Sequence, residues 1–391
     1  MSREVSICSI TPSGAILSAE GLPKICPPSK QYSKQNFDLD ENIGYNWPSF
    51  CIRKEAGLQW VIARLEQAQK SSDVKLCLQE HLFGAEVISP GRDIASLAYI
   101  QSQDASKVMT FVGVKIYGVL FLKEWDPKDV HQRSKLTRNT TNADIGESLR
   151  RRLLSHYHGL KFERCVTSKI GNPSRSDYEK DPGDNFYSIR LLENMEPLTV
   201  LVDCRADAVD STGLLGEPGK YIEVKLTQSY GLSPQSMARS WLYMFFGGIE
   251  TMLCGYRSKG IVHRTKVLTA DELRQSAKAS LAPDFVGTLR EFLLVLVDEI
   301  PDFQSATGNE NDSSLTCTSE TAAAVDNPLD DADQAKTKDE TSCIGENKAK
   351  FYHISVRNGS SGLEYKIQDF NSSLKAFPDW FLDRVLEMCD R

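Results

Sequence analysis

An acid and a base stand two residues apart in the apolar segment YIEVKLTQ, residues 221–228. Residues i and i+2 of a β-strand share one face, so Glu223 and Lys225 would project together while the apolar residues beside them point the other way. A carboxylate can hold a divalent cation and a neighbouring ammonium can steady an anion, which suits the hydrolysis of phosphate esters. The spacing alone is weak evidence, because acid-x-Lys recurs elsewhere in the chain.

Two further acids can join this pair. Asp203 closes the apolar run LTVLVD and is separated from YIEVKL by the Gly/Pro turn GLLGEPGK, so the two strands can pair antiparallel and bring Asp203 close to Glu223 and Lys225. Leu201 shares the face of Asp203 by strand alternation. Glu163 lies at the edge of the apolar stripe of the helical segment IGESLRRRLLSHYHGLKFERCV. An all-oxygen shell of this kind is what Mg²⁺ prefers.

The elements that must position these residues alternate between helix and strand. VMTFVGVKIYGVLFLKEW predicts two strands or one bent strand, residues 351–356 and 363–368 predict two more, and FPDWFLDRVLEM predicts a terminal amphipathic helix. This alternation indicates an α/β fold of the mixed α+β type. We predict a single domain formed by residues 1–304 and 349–391, interrupted by an acidic insertion at 305–348 that has too few aromatics to order itself.

Composition narrows the class of protein. The chain has 391 residues, 40% apolar and 25% charged, which is ordinary for a globular domain, and its net charge of −7 arises mostly in the insertion, so nucleic acid is not excluded as a partner. No apolar run is long enough to span a membrane and no secretory signal is recognisable, so we expect a protein of the nucleus, the cytoplasm or both. The ten cysteines form no C-x-x-C pair, which argues against structural zinc.

Three motifs, taken in order, resemble the decapping and exoribonuclease (DXO) family. HGLKFERCV is similar to its G-φ-x-φ-E motif, LVDC to its E-φ-D motif and IEVK to its E-φ-K motif. NFDL, YGVLFLKE, GYRSKGIV and the terminal FPDWFLDRVLEM resemble flanking segments, so the likeness covers most of the chain apart from the insertion. It implies a two-sheet core with flanking helices, a deep cleft and a PD-(D/E)XK nuclease-like site.

The resemblance also implies a function. Family members act on RNA 5′ ends: they remove incomplete or nonstandard caps, including NAD caps, or 5′ pyrophosphate, and some degrade RNA 5′ to 3′. The expected partners are RNA 5′ ends, with neither membrane nor DNA. Carried over by position, the ligands of Mg²⁺ or Mn²⁺ would be Glu163, Asp203, Glu223 and the Val224 carbonyl, and Lys225 would touch the scissile phosphate.

Three further positions follow from the same likeness. Arg92 falls near a substrate-binding arginine of the family, Leu201 stands where the first Glu of E-φ-D is expected, and Tyr243 stands where a Gln faces substrate. Loss of a carboxylate at Leu201 would remove a metal ligand.

Two other interpretations stay open at this stage. The four charged residues could form a buried structural ion network. Alternatively, the chain could be a catalytically weakened family member that binds RNA ends or a protein partner in RNA turnover. Cys204 invites interpretation as a nucleophile, but we expect a buried structural thiol because no general base is identifiable for it.

Overall fold

The computed structural model describes most of the chain outside the predicted insertion. The described residues are 2–11, 14–16, 37–40, 58–71, 77–125, 146–167, 185–210, 220–303, 350–359, 362–370, 377 and 379–390. The predicted insertion at 305–348 lies outside these ranges, so that prediction stands untested. No helix in the described ranges is both long enough and apolar enough to cross a bilayer.

Eight α-helices occur among the described residues. They are α1 (Gln59–Ser71), α2 (Leu78–His81), α3 (Gly91–Ile100), α4 (Glu147–Thr167), α5 (Pro234–Gly247), α6 (Ala270–Ala277), α7 (Phe285–Glu299) and α8 (Asp379–Asp390). Helix α5 begins at a capping serine, Ser233, with proline at its first position, and it ends at Gly248 in the left-handed conformation. The amphipathic segment predicted at the end of the chain is confirmed as α8.

The strands build two sheets. They are β1 (Ser2–Thr11), β2 (Gly14–Ile16), β3 (Phe37–Asp38), β4 (Val87–Pro90), β5 (Val108–Ile116), β6 (Val119–Glu124), β7 (Asn185–Leu192), β8 (Val200–Ala206), β9 (Ala208–Asp210), β10 (Lys220–Gln228), β11 (Thr251–Ser258), β12 (Ile261–Thr269), β13 (Asp302–Phe303), β14 (Tyr352–Gly359) and β15 (Gly362–Asp369). The large sheet has the order β15-β14-β5-β6-β4-β8-β7-β1-β2, with β13 beside β5, and the small sheet has the order β3-β12-β11-β10-β9. The predicted mixed α+β class with two sheets and flanking helices is confirmed.

Both faces of the large sheet are covered by apolar packing. One face packs with α3, α5 and α7, and contributes the even-numbered residues of β8, among them Val202 and Cys204. The other face packs with α1 and α8, and contributes Leu201 together with Trp60 and Phe381. Burial on both sides explains why β8 reads as a nearly continuous apolar run.

The segment from β8 to β9 links the two sheets. Strand β8 pairs with β4 and β7 in the large sheet, and after Asp207 the chain continues as β9, which pairs antiparallel with β10 in the small sheet. The predicted antiparallel pairing of the Asp203 strand with the Glu223 strand is therefore wrong. Strand β8 does not end at Asp203 but at Ala206, and the strand that pairs with β10 is β9, which begins at Ala208.

Candidate active site

Five charged side chains meet where the chain passes between the sheets. We call this group the crossing cluster: Glu163, Arg205, Asp207, Glu223 and Lys225. The Arg205 guanidinium donates a hydrogen bond from Nη2 to Glu163 Oε1, and the same Nη2 lies 3.3 Å from Asp207 Oδ1. The other Asp207 oxygen, Oδ2, accepts a hydrogen bond of 3.0 Å from the backbone N–H of Val224. The arginine thus holds the helix acid and the crossing acid together, and Asp207 ties both to strand β10.

Close packing places Glu163 at this point. A side chain at Gly255 of β11 would approach the ring of Phe162 to 2.6 Å, so only glycine lets α4 lie so near the small sheet. Phe162 is fully buried against Leu253 and Ile222 of that sheet. Its neighbour Glu163 is thereby directed to the sheet edge that carries Asp207 and Glu223.

Helix α5 fixes the other side of the cluster. Lys225 donates a hydrogen bond of 2.6 Å to the Ser240 hydroxyl, which in turn donates to the Ser236 carbonyl. The Tyr243 hydroxyl donates a bond of 3.0 Å to the backbone carbonyl of Arg205. Tyr243 therefore lies beside the cluster, as expected, but its hydroxyl is committed to holding the Arg205 backbone.

The protonation preferences of the cluster follow from burial and mutual charge. Burial, followed by the charge of Asp207, raises the pKa of Glu223 well above its ordinary value, while Lys225 and Arg205 act in the opposite direction. Burial disfavours the charge of Arg205, but the negative charges of Asp207 and Glu163 outweigh it and raise the pKa of the guanidinium. Arg205 is accordingly a permanent cation of this site.

Asp203 lies in a different charged group, on the face of the large sheet that packs with α1. Its Oδ2 accepts a hydrogen bond of 3.0 Å from the indole N–H of Trp60, and its side chain is 4% exposed. Burial raises the pKa of Asp203 well above its ordinary value. The hydrogen bond from Trp60 lowers this pKa, and the negative charge of Asp93 raises it further. We call Arg92, Asp93, Glu124 and Asp203 the sheet cluster.

The rest of the sheet cluster forms where β4 turns into α3. Gly91 allows this turn, since a side chain there would meet the Cys204 sulfur at 2.2 Å. Asp93 is 1% exposed and accepts a bond of 3.0 Å from the Glu124 backbone N–H, and burial raises its pKa. The Arg92 side chain is 74% exposed, 3.5 Å from Asp93, and therefore accessible to a ligand.

The structure corrects two sequence-based placements. Asp203 does not lie with Glu223 and Lys225, because its strand β8 does not pair with β10. Its side chain instead accepts a hydrogen bond from Trp60. Leu201 does not flank a metal site, because it is fully buried among the apolar residues under α1 and α8. Cys204 is confirmed as a buried thiol, and burial raises its pKa.

Arg205 and Asp207 are the two cluster members that the sequence analysis missed. The signal was present: RAD in CRADAVD has the spacing of an acid-φ-Asp motif with arginine in the first place. LVDC offers a second candidate for the same motif, because its aspartate ends an apolar run. Only the crossing from one sheet to the other shows which aspartate reaches Glu223.

The donor set of the crossing cluster has the chemistry of a divalent-cation site, since it offers three carboxylates and the Val224 backbone. In the arrangement observed, however, no three acid, histidine or cysteine side chains of the described ranges are grouped so that they could hold a metal ion together. In this arrangement Arg205 pairs with two of the three carboxylates, Glu163 and Asp207.

Comparison with known proteins gives one family and several similar structures. A sequence model of the RAI1 like PD-(D/E)XK nuclease family matches residues 4–381. No curated protein matches the chain.

Three similar structures come from yeasts. Scheffersomyces stipitis Rai1, in complex with (3'-NADP)+ and calcium ion, is 12% identical over 100% of this chain and 96% of its own, with a TM-score of 0.59. Candida albicans Rai1, in complex with pU5-Mn2+, is 11% identical over 100% and 95%, with a TM-score of 0.56. K. lactis Dxo1, in complex with manganese, is 11% identical over 96% and 92%, with a TM-score of 0.51. These identities show a shared fold, and the bound ions agree with the divalent cation predicted from sequence.

Proposed function

Because this chain belongs to the RAI1 like PD-(D/E)XK nuclease family, we propose that it processes RNA 5′ ends by divalent-cation-dependent hydrolysis at the crossing cluster. Membership, shown by the match over residues 4–381, confirms the resemblance seen in the motifs. One observation carries the proposal: Glu163 from a helix, Asp207 from the link between β8 and β9, and Glu223 with Lys225 from β10 converge, as the chemistry of a PD-(D/E)XK site requires.

Each residue has a role that its position supports. Glu163, Asp207, Glu223 and the Val224 carbonyl would hold Mg²⁺ or Mn²⁺, which when bound polarises phosphoryl oxygens and makes water a better nucleophile. Lys225 is held by Ser240 at 2.6 Å, so its ammonium is oriented in advance to neutralise charge that develops on a phosphate.

Basic residues recur across the small sheet from Lys225, with the buried Cys254 between them. In the register of the sheet, Lys225 lies beside Cys254 of β11, and Cys254 lies beside Lys266 of β12. Lys266 and Arg264 line a cavity of about 400 Å³, in which the Arg264 guanidinium lies 4.3 Å from the Tyr256 ring centre. Basic groups interleaved with aromatic rings suit phosphates and bases of single-stranded RNA.

The cavity rim adds an aromatic surface to this path. Tyr230 lines the cavity and is 87% exposed, so its ring is available for base stacking. We assign the RNA body to this path and the 5′ end to the crossing cluster, with Arg92 at the start of α3 as a further phosphate ligand. Dinucleotide ligands in similar Rai1 structures, (3'-NADP)+ and 3'-FADP, support nonstandard caps such as NAD as substrates. We further propose 5′ pyrophosphate release and 5′-to-3′ degradation, which the family resemblance implies.

A second function has specific support. The pairing of Arg205 with Glu163 and Asp207 favours a family member that binds RNA 5′ ends with little or no turnover. In that case Lys225, Arg205 and Arg92 would act as phosphate ligands. The two functions share the binding site and differ only in hydrolysis.

The test compares purified protein on RNAs that carry a 5′ triphosphate, a 5′ monophosphate, an unmethylated cap or an NAD cap. Each is incubated with millimolar Mn²⁺ or Mg²⁺ and, in parallel, with chelator. Hydrolysis that chelator abolishes supports the proposal, and Lys225→Met should lower its rate by roughly 100-fold, the typical loss when a transition-state charge partner is removed.

Lys366→Met is the matched control, because Lys366 has the same acid-x-Lys spacing but is exposed on β15. Binding of 5′-phosphorylated RNA without hydrolysis would select the second function. If the protein neither binds nor cleaves these RNAs, both are excluded.

A further inference from the structure

Arg205 stands where the residues of the crossing cluster conflict with the cation that its acids would hold. Its Nη2 pairs with Glu163 and with Asp207, the latter at 3.3 Å. The second oxygen of Asp207 is bonded to the Val224 backbone at 3.0 Å. Both Asp207 oxygens are therefore engaged, one with the arginine and one with strand β10.

The charge balance of the cluster points the same way. With all three carboxylates counted as ionised, they face two cations, Arg205 and Lys225, and the formal charge of the cluster is −1. A divalent ion added to this arrangement would overcharge the site and would lie beside a guanidinium that cannot lose its proton. An ion added after Arg205 had withdrawn would leave the site neutral.

The arginine is held in place by more than its ion pairs. Its side chain is 20% exposed, and its backbone carbonyl accepts the hydrogen bond of 3.0 Å from Tyr243. Strand β4 pairs with β8 only as far as Asp203. Arg205 lies beyond this point, so β4 does not separate Arg205 from the acids.

We infer that Arg205 is a built-in cation that competes with the divalent ion for Glu163 and Asp207 and so sets how much metal the protein needs. The inference rests on the proposed function for its relevance to RNA, but it concerns metal binding and is tested without RNA. It assigns to Arg205 a positioning role: the guanidinium keeps the acids apart from a metal rather than reacting with substrate.

The test measures Mn²⁺ affinity of the full chain by calorimetry and by loss of the free-ion electron paramagnetic resonance signal. Arg205→Gln removes the charge and should tighten Mn²⁺ binding at least tenfold, and Arg205→Glu, which adds a carboxylate, should tighten it further. Arg190→Gln is the matched control, since Arg190 is also buried and paired with an acid, Glu4, but on β7 of the large sheet. It should leave Mn²⁺ affinity unchanged.

Tyr243→Phe gives an independent variant that keeps every charge. Loss of the hydroxyl frees the Arg205 backbone, and a twofold to threefold gain in Mn²⁺ affinity is expected even if the arginine variants fold poorly. Equal Mn²⁺ affinity in the parent, in Tyr243→Phe and in every folded arginine variant would overturn the inference.

The outcome is separable from the proposed function. If the arginine variants bind Mn²⁺ more tightly but leave all four RNAs intact, the competition is supported and the proposed hydrolysis is contradicted. If the parent protein binds Mn²⁺ at micromolar concentration and hydrolyses RNA, the hydrolysis is supported and the competition is contradicted.

Discussion

The crossing cluster and the sheet cluster both set acids against arginine along strand β8, yet their two aspartates have different partners. Asp203 is almost fully buried, bonded to the neutral indole of Trp60, and its pKa is raised by burial. Asp207, four residues on, is bonded to a backbone N–H and paired with Arg205. Both side chains are buried, so the partners distinguish them: a neutral indole for Asp203 and a guanidinium for Asp207.

Position relative to the sheet crossing, rather than residue type, determines the different surroundings of the two aspartates. Asp203 has strands on both sides, β4 and β7, whereas Asp207 follows the last residue of β8 and belongs to neither sheet. A metal-binding acid must be grouped with other acids, and of these two aspartates Asp207 is the one that lies beside Glu163 and Glu223.

The largest expected effect contrasts two substitutions to glutamate on this strand. Leu201→Glu should destabilise the fold by about 3 kcal/mol or more, because it buries a carboxylate without a partner among apolar side chains. Arg205→Glu should destabilise the fold less than Leu201→Glu does. Mn²⁺ should restore its melting temperature, because the added carboxylate becomes a ligand of the ion in the folded state. Thermal melts of both proteins with Mn²⁺ and with chelator provide the measurement. Mn²⁺ rescue of Leu201→Glu would contradict the placement of Leu201.

A second contrast tests which aspartate serves the metal. In the Arg205→Glu protein, adding Asp207→Asn should weaken Mn²⁺ binding by at least roughly tenfold, since even outer-shell changes can cost this much. Adding Asp203→Asn instead should leave Mn²⁺ affinity within about twofold, because sites without shared partners behave almost independently. Calorimetric titration of the two double variants is decisive. Equal losses would mean that both acids reach the ion.

A smaller effect concerns pH. The pKa of Asp203 is higher in the folded than in the unfolded state, so the folded state binds more protons between the two values and stability falls as pH rises through that window. Asp203→Asn should remove this contribution and stabilise the protein at pH 8 by an amount within the ordinary range of about 0.5–3 kcal/mol, while changing little below the unfolded pKa. Denaturant unfolding at several pH values measures it. An unchanged pH slope would show that Asp203 does not titrate as assigned.

The smallest expected effect lies outside both clusters. Deleting residues 308–345 should change stability by less than about 1 kcal/mol, because closure entropy varies slowly with loop length. Neither Mn²⁺ affinity nor the pH slope should change. A large drop in melting temperature would show that this segment packs against the domain.

Much of the fold was readable from local pattern. The two strands around Gly118, the paired strands at β14 and β15, and helix α8 follow from apolar periodicity and turn residues, and all are confirmed. Glu163, Glu223 and Lys225 were also expected to share one site, from the order of the three motifs and from the i, i+2 spacing of the last two, and the structure groups them. The role of the group as a metal site remains a proposal.

Local sequence determined which residues can carry charge to the site, and tertiary structure decided which of them meet. LVD and RAD both present an aspartate as the third residue of an x-φ-Asp pattern whose first residue is not an acid, and no short-range rule distinguishes them. The choice depends on where β8 leaves the large sheet and on the Phe162 contact with Gly255 that aims Glu163. The pairing of Arg205 with two acids likewise arises only from that crossing, because it joins residues 42 positions apart in sequence through a contact between a helix and a strand.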